Sequence, residues 1–234
     1  MARHVFLTGP PGVGKTTLIQ KTSEVLRSSG VPVDGFYTEE VRQGGRRIGF
    51  DVVTLSGSRG PLSRTGSEPP PGKRECRVGQ YVVDVTSFEQ LALPVLRNPM
   101  EGSLGPVHFP PLSSPSSLSS MEKADTRTLC LCSQKGDQLC VQAGSSSGSG
   151  QRVCVIDEIG KMELFSQPFI QAVRQTLSTP GTIILGTIPV PKGKPLALVE
   201  EIRNRSDVKV FSVTKENRNH LLPDIVTCVQ SSRK

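Results

Sequence analysis

The chain has 234 residues, of which 35% are hydrophobic and 21% charged, and its formal net charge is +7. This length and composition predict a globular protein with one substantial core. No run approaches 18 apolar residues and no signal peptide is recognisable, so we expect no membrane span and an intracellular protein, cytoplasmic or nuclear. The positive charge leaves nucleic-acid binding open but does not indicate it, because the basic residues form no single block.

The first predicted elements are a strand, a glycine-rich turn and a helix. Residues 3–8 form a short apolar run that predicts a strand. From Lys15, apolar residues recur at helical spacing as far as Ser28, and Gly30 is suited to the end of a helix. The turn between them reads GPPGVG.

A β-rich region follows. The runs VDGFYTEEV and IGFDVVTL are separated by RQGGRR, whose Gly44-Gly45 pair predicts a hairpin. The run YVVDV at 81–85 predicts another strand. We expect Thr86 or Ser87 to cap a helix after it, although Pro94 weakens that prediction.

Residues 99–150 have a different character. Serine, proline and glycine make up 23 of these 52 residues, with no sustained periodicity. That level is typical of low-complexity sequence. We therefore predict one domain over residues 1–234, interrupted by a disordered insert at 99–150.

Strands and helices alternate after the insert. The stretch RVCVIDEIG predicts a strand, Ser166 and Pro168 predict a capped helix, and GTIILGTI predicts a buried strand. The helix PLALVEEIRNR and the strand VKVFSV follow, and we expect Thr214 to cap a last helix beginning KENRNHLL. This order predicts an α/β fold with a mostly parallel sheet, to which the early hairpin adds antiparallel pairing.

The turn at residues 9–16 has the spacing of a phosphate-binding loop. Gly9, Gly14, Lys15 and Thr16 match G-x-x-x-x-G-K-[ST] between a predicted strand and a predicted helix. Glycines let successive amides point at one anion, and the helix adds the positive end of its dipole. We therefore predict that Lys15 reaches the β- and γ-phosphates as a catalytic group and that Thr16 is a ligand of Mg²⁺.

An acidic pair follows the apolar run Val153–Ile156. Asp157 lies at the carboxyl end of this predicted strand, where parallel sheets present ligand residues, and we predict that it organises the magnesium. Glu158 is expected to point to the other side of the pleat and to orient or activate the attacking water. An acidic residue directly after the aspartate that organises the magnesium favours hydrolysis over kinase activity.

The motifs together resemble the small P-loop nucleoside-triphosphatases. The resemblance rests on residues 9–16, the hairpin GFYTEEVRQGGRRIGFDVV, and the segments VCVIDEIGKMELF, GTIPV and VTKENRNHLLPDI. It covers residues 1–98 and about 145–234, whereas the segment at about 99–144 has no counterpart in the family pattern. The fold it implies is a three-layer P-loop NTPase core with a mostly parallel sheet and an antiparallel hairpin.

The resemblance implies slow, Mg²⁺-dependent hydrolysis of the terminal phosphate of ATP, GTP, CTP, TTP and UTP with little base selectivity. Because the insert enters just ahead of the acidic strand, activity requires that it loop out. We expect a monomer. Lys161, Glu163 and Asn217 lie in family-like stretches, and Arg218 is a candidate transition-state cation. The nucleotide contacts that the resemblance implies are Gly9, Pro10, Pro11, Gly12, Val13, Gly14, Lys15, Thr16, Val153, Cys154, Val155, Ile156, Asp157, Glu158, Ile159 and Gly160.

Two other functions remain open. A P-loop kinase acting on a small-molecule or nucleic-acid acceptor often carries an arginine-rich lid, and the region 59–77 contains Arg59, Arg64, Arg74 and Arg77. A non-enzymatic nucleotide-binding switch or nucleic-acid adaptor would bind nucleoside triphosphates without turnover.

Overall fold

A computed structural model describes residues 2–66, 75–97 and 151–233. The predicted insert at 99–150 lies outside these ranges, and it remains a prediction. The strands are β1 (His4–Thr8), β2 (Val33–Gln43), β3 (Arg46–Thr54), β4 (Arg59–Thr65), β5 (Arg77–Val78), β6 (Tyr81–Val83), β7 (Arg152–Asp157), β8 (Thr182–Thr187) and β9 (Val208–Ser212). The helices are α1 (Lys15–Ser28), α2 (Val85–Arg97), α3 (Gln167–Ser178), α4 (Ala197–Arg203) and α5 (Leu221–Ser231).

The strands form one mixed sheet in the order β5-β6-β4-β3-β2-β7-β8-β1-β9. The half from β2 to β9 is parallel, with β7 paired to both β2 and β8, and β1 paired to both β8 and β9. The half from β5 to β2 is antiparallel. The α/β fold with mostly parallel central strands is confirmed, and its antiparallel part extends beyond the single hairpin that the sequence predicts.

Alternate residues of the parallel strands pack into apolar clusters on opposite faces of the sheet. On one face Phe36, Phe88 and Phe169 contact one another edge to face, with ring centroids 4.9–6.0 Å apart, beneath α2 and α3. On the other face α1 and α5 cover Val5 and Leu7 of β1, together with residues of β7 and β8. Helices on both faces of the sheet give the predicted three layers.

Two local predictions need correction. Asp84, not Thr86 or Ser87, caps α2, because its carboxylate accepts a hydrogen bond from the Ser87 amide at 2.9 Å. The helix also continues through Pro94 to Arg97. The last helix begins at Leu221, because Thr214 closes a turn with Asn217 instead of capping a helix.

The predicted cap of α3 is confirmed, since the Ser166 hydroxyl accepts from the Phe169 amide at 3.0 Å. Among the helices that the described ranges contain, none is long and apolar enough to cross a bilayer.

The order of the strands defines where a site can lie. Strand β8 separates β1 from β7, and all three are parallel. The loop after β1 and the acids at the end of β7 therefore emerge at the same edge of the sheet. In open α/β sheets, ligands bind at this carboxyl edge.

Candidate active site

The loop after β1 is a tight curl of main chain. A Cβ atom at Gly9 would lie 2.4 Å from the Val213 carbonyl oxygen, and the residue has φ +154°, so only glycine fits. The Val13 amide donates back to the Pro10 carbonyl at 3.3 Å, and α1 begins directly after Gly14. Amides and the positive end of a helix dipole therefore meet here, as anion binding requires.

The two side chains of the loop that are predicted to be functional, Lys15 and Thr16, have different contacts. Lys15 folds back over the curl, and its ammonium donates to the carbonyls of Gly9 at 3.0 Å and Pro10 at 3.3 Å. The Thr16 hydroxyl is turned toward Asp157, whose pKa it lowers by hydrogen bonding, and the positive charge of Lys15 lowers that pKa further. Two adjacent residues of the loop thus act on a carboxylate about 140 positions later in the chain.

Asp157 ends β7 as a buried acid, 1% exposed. The Thr187 hydroxyl, at the end of the neighbouring strand β8, donates to its Oδ1. Its Oδ2 is buried and has no hydrogen-bond partner of ordinary geometry within the described ranges. Burial raises the pKa of Asp157 more than these neighbours lower it. The positive charge of Lys15 therefore offsets the burial of this carboxylate only in part, and among the described residues no ion pair forms with it.

Two glutamates stand beside Asp157. Glu158 is largely buried, and burial together with the charge of Asp157 raises its pKa, while Lys15 lowers it. Glu163 begins a short 3-10 turn, Glu163–Phe165, is 4% exposed, and accepts from the Gly160 amide at 3.0 Å. A Cβ atom at Gly160 would lie 2.9 Å from Oε1 of Glu158 and 3.1 Å from Oε2 of Glu163. The two carboxyl groups therefore flank the same small residue.

Glu163 was not assigned a role from the sequence. Burial, the largest cause, and the charges of Glu158 and Asp157 raise its pKa to about 8. It is therefore mostly protonated at neutral pH and does not add a full negative charge to the site. The signals for it in the sequence are its place in the family-like stretch VCVIDEIGKMELF and its position five residues after Glu158, across a glycine.

These oxygens suit a hard cation. The Thr16 hydroxyl and the unpartnered Oδ2 of Asp157 are the donors that Mg²⁺ prefers, and three neighbouring carboxyl groups with raised pKa values favour added positive charge. Within the part of the chain that the structure describes, no three His, Cys, Asp or Glu side chains form a metal cage. The donors present fit a magnesium that takes most of its ligands from phosphates and water.

The other residues that the resemblance implies as contacts fall into two groups. Val153, Cys154, Val155 and Ile156 are 0% exposed and pack alternately into the two apolar clusters, so their side chains position the strand. Ile159 is also buried, and its amide donates to the Thr187 carbonyl at 2.9 Å. The exposed side of the loop consists of Pro10, Pro11 and Gly12, while Val13 is buried beneath it.

Arg218 lies against the phosphate loop. It belongs to the turn between β9 and α5, and its guanidinium donates to the Val13 carbonyl at 3.4 Å. Its Cδ would lie 3.8 Å from a Cβ atom at Gly14. Asn217 holds the turn by donating to the Ser212 carbonyl at 2.9 Å. Arg218 is exposed, and it lies beside the end of the loop that leads into α1.

The arginines of the predicted lid have other partners. Arg59 and Arg64 belong to β4, and both pair with Asp51, at 2.7 Å and 2.5 Å. Arg77 pairs with Glu75 at 2.5 Å. Arg74 lies outside the described residues. Three of the four arginines are thus held on the antiparallel part of the sheet by acids.

A cavity of about 710 Å³ opens beside the loop and the acids. Gly9, Pro11 and Lys15 line one side of it, and Glu158, Gly160 and Glu163 line the end of β7. The remaining walls come from the antiparallel strands and from the segment after β8. Such a volume is typical of a small-molecule site.

A glycine loop between a buried strand and a helix, with an acid at the end of a nearby parallel strand, defines a P-loop α/β protein. The NTPase family model matches residues 4–103 and 117–226. The chain belongs to this NTPase family.

Two named relatives match this chain over all or nearly all of their length. The human protein named cancer-related nucleoside-triphosphatase is 76% identical over 234 residues, covering all of both chains. Nucleoside-triphosphatase THEP1 of Thermotoga maritima is 33% identical over 229 residues, covering 98% of this chain and 97% of that protein.

Two solved structures have the same fold. The solution structure of the human cancer-related nucleoside triphosphatase has a TM-score of 0.71 and covers all of both chains. The crystal structure of THEP1 from Aquifex aeolicus has a TM-score of 0.65 at 29% identity, covering 97% of this chain and 99% of that one.

Proposed function

We propose that the protein hydrolyses the terminal phosphate of ATP, GTP, CTP, TTP and UTP, slowly, with Mg²⁺ and little base selectivity. The observation that carries this proposal is the convergence of the phosphate loop and the acids: Lys15 acts electrostatically on both Asp157 and Glu158. The names of the relatives, which are nucleoside-triphosphatases, support the reaction class.

The phosphate loop binds the triphosphate in this proposal. The amides of residues 9–14 surround the β-phosphate, and the N-terminal end of α1 adds its dipole. The Lys15 ammonium exchanges the carbonyls of Gly9 and Pro10 for oxygens of the β- and γ-phosphates. This exchange needs only a rotation of the lysine side chain, since the loop is already curled.

Thr16 and Asp157 hold the magnesium in this proposal. When bound, Mg²⁺ neutralises charge that develops on the phosphate oxygens. Thr187 fixes the orientation of Asp157, which leaves Oδ2 directed away from the β8 side. Asp157 therefore acts as a charge that is oriented before the substrate arrives.

Glu158 is proposed to position the attacking water and to accept its proton. The water oxygen forms a bond to the γ-phosphorus as the bond from that phosphorus to the β–γ bridging oxygen breaks, which releases a nucleoside diphosphate and phosphate. The raised pKa of Glu158 moves its basicity toward neutral pH, which suits a proton acceptor. The carboxyl group of Glu163 lies near that of Glu158, on the other side of Gly160.

Low base selectivity follows from how the nucleotide is held. The proposed contacts are to phosphate groups. In the turn next to the loop, the Arg218 guanidinium donates to the Val13 carbonyl, and the Asn217 side chain bonds to the main chain of Ser212 and Thr214.

Kinase activity is the second candidate, and the cavity beside Glu158 favours it. The arginines expected to form a lid do not support it, since Arg59, Arg64 and Arg77 pair with acids. A kinase would transfer the γ-phosphoryl group to an acceptor. Without that acceptor it would release little phosphate from the nucleotide, because water is a poor substitute. A nucleotide switch would bind without turnover.

The test is phosphate release from the five nucleoside triphosphates with Mg²⁺, for wild type, Lys15→Ala and the control Lys21→Ala. Lys21 is an exposed lysine on the same helix. We expect turnover on all five substrates, a loss of at least about 100-fold in Lys15→Ala, and no loss in Lys21→Ala. Equal turnover in Lys15→Ala and wild type would contradict the proposal.

A further inference from the structure

The cavity beside the acids is larger and more apolar than a triphosphate requires. Its volume is about 710 Å³, and the phosphate loop lines only one side of it. Thr38 lies in the wall that the antiparallel strands contribute. The apolar side chains in its walls include Phe50, Leu62, Val78, Met162, Leu196 and Val199. A triphosphate gains nothing from such walls, since it has no apolar surface to bury.

The cavity and the turn carrying Arg218 meet the loop at different places. The cavity contacts the loop at Gly9, Pro11 and Lys15. Arg218 contacts it at Val13 and lies beside Gly14, and no residue of the turn 214–220 lines the cavity. A nucleotide whose γ-phosphate faces Glu158 can therefore extend its base toward the turn and leave the apolar part of the cavity free.

The outer rim of the cavity is positively charged. Lys192 and Lys194 are exposed on the segment after β8, and Lys161 is exposed after the acidic strand end. None of the three forms an ion pair within the residues that the structure describes. The acids that line the cavity, apart from Glu200, are Glu158 and Glu163, at the inner end beside Lys15. An apolar interior with a cationic mouth is complementary to an amphipathic anion.

We propose that this cavity binds a second small molecule, an amphipathic anion whose apolar body packs on Phe50, Leu62 and Leu196 and whose anionic group faces Lys192 and Lys194. The inference rests on the proposed function for the position of the γ-phosphate, whereas the binding of the anion does not depend on turnover. Its inner end lies next to Glu158. A molecule bound there displaces the water that Glu158 would use, so it inhibits hydrolysis without competing with the nucleotide.

The probe is 1-anilinonaphthalene-8-sulfonate, which combines an aromatic body with one sulfonate and fluoresces in apolar surroundings. Fluorescence titration of the full chain with Mg²⁺ and ADP present should show one saturable site. Phosphate release at several ATP concentrations should show kcat falling with added probe while KM for ATP stays constant. A rise in KM with constant kcat would overturn the proposal, because the cavity would then be part of the nucleotide site.

The variant Lys192→Glu/Lys194→Glu tests the mouth, with Lys21→Glu/Lys209→Glu as the control for an equal change in net charge. Both control lysines are exposed and line no part of the cavity. We expect the Kd for the probe to rise about tenfold in the first variant and to stay within about twofold in the control. Equal effects in the two variants would overturn the proposal.

Leu196→Trp tests the apolar wall at a half-buried position that tolerates added volume better than the core does. We expect the Kd for the probe to rise at least about fivefold, while the affinity for MgADP stays unchanged. Probe affinity equal to that of wild type would count against the cavity. If no nucleoside triphosphate is hydrolysed by the wild type, the proposed function fails, and the probe titrations still report separately on the cavity.

Discussion

The Thr187 hydroxyl donates a hydrogen bond to Oδ1 of Asp157 and links the carboxyl ends of two adjacent parallel strands. The bond leaves the other carboxylate oxygen buried and without a partner among the described residues. At the same strand end, the Thr187 carbonyl accepts a hydrogen bond from the Ile159 amide at 2.9 Å. Thr187 thus orients the acid that we propose for the magnesium without lining the cavity itself.

We predict that Thr187→Val raises the Mg²⁺ concentration needed for half-maximal phosphate release by about 10-fold or more, because groups that orient metal ligands typically contribute this much. Mg²⁺ titration of turnover measures it. Thr182→Val is the matched control, since Thr182 is equally buried at the other end of β8. The same Mg²⁺ requirement in both variants would contradict an orienting role for Thr187.

Glu163→Gln is expected to change how stability depends on pH. Glu163 keeps its proton to about pH 8 in the folded chain, whereas an unfolded glutamate releases it near pH 4.5. The folded state therefore binds more protons between these values, and wild-type stability falls as pH rises through this window. The free energy of unfolding of the variant does not fall in this way. Relative to wild type it should therefore rise by roughly 3 kcal/mol between pH 5 and pH 8.

Urea unfolding at several pH values measures this difference. Glu24→Gln, at an exposed position on α1, is the control. A pH-independent difference between Glu163→Gln and wild type would mean that Glu163 is ionised in the fold. Glutamine keeps an oxygen that can accept from the Gly160 amide, so the variant should fold.

His4 makes the fold sensitive to acid. It is 0% exposed in β1, its Nδ1 accepts from the Ile184 amide at 3.0 Å, and Nε2 therefore carries the proton toward the Leu177 carbonyl at 3.1 Å. Burial, followed by the charge of Arg3, lowers its pKa from 6.5 to about 4. The unfolded state takes up a proton first as pH falls, so stability is lost from about pH 6.5 down to about pH 4.

We predict that the stability advantage of wild type over His4→Gln shrinks by roughly 2 kcal/mol between pH 7 and pH 5. Urea unfolding at the two values measures it, and His220→Gln, at an exposed histidine, should show no such change. A constant difference for His4→Gln would show that His4 is not neutral in the fold. An NMR titration of the His4 ring gives the same answer if the variant does not fold.

Gly35 allows β2 to lie against β7. A Cβ atom at this position would lie 2.1 Å from the Val155 carbonyl oxygen, and φ is +131°. Gly35→Ala should therefore separate the strand that carries Asp157 from its neighbour and cost at least about 3 kcal/mol. Gly44→Ala is the control, because φ is +56° but no atom lies within 4 Å. It should cost about 1 kcal/mol, and equal losses in urea unfolding would contradict the packing argument.

Local patterns predict the elements that carry the site. The glycine spacing up to Lys15, the apolar run before Asp157 and the hairpin at Gly44-Gly45 each have a short-range physical cause, and the structure has the elements they predict. The sequence does not predict strand β4, because RGPLSRT contains a proline and little alternation. Its place in the sheet depends on pairing with β3 and β6 instead.

The partners of the acids could not be predicted in the same way. Thr187 contacts Asp157 because β8 lies beside β7, and this pairing joins residues 30 positions apart. Glu163 reaches Gly160 because a 3-10 turn brings it back, and no periodicity indicates such a turn. These contacts depend on the order of the strands and on one local turn.

The most direct test of the account is turnover and nucleotide binding measured together in Glu158→Gln, with Glu24→Gln as control. The substitution keeps the size of the side chain but removes the proton acceptor. We predict that phosphate release from MgATP falls at least about 100-fold while the Kd for MgATP changes less than about threefold. Turnover close to that of wild type, or nucleotide binding lost together with turnover, would contradict the proposal that Glu158 acts on the water attacking a triphosphate held by Lys15.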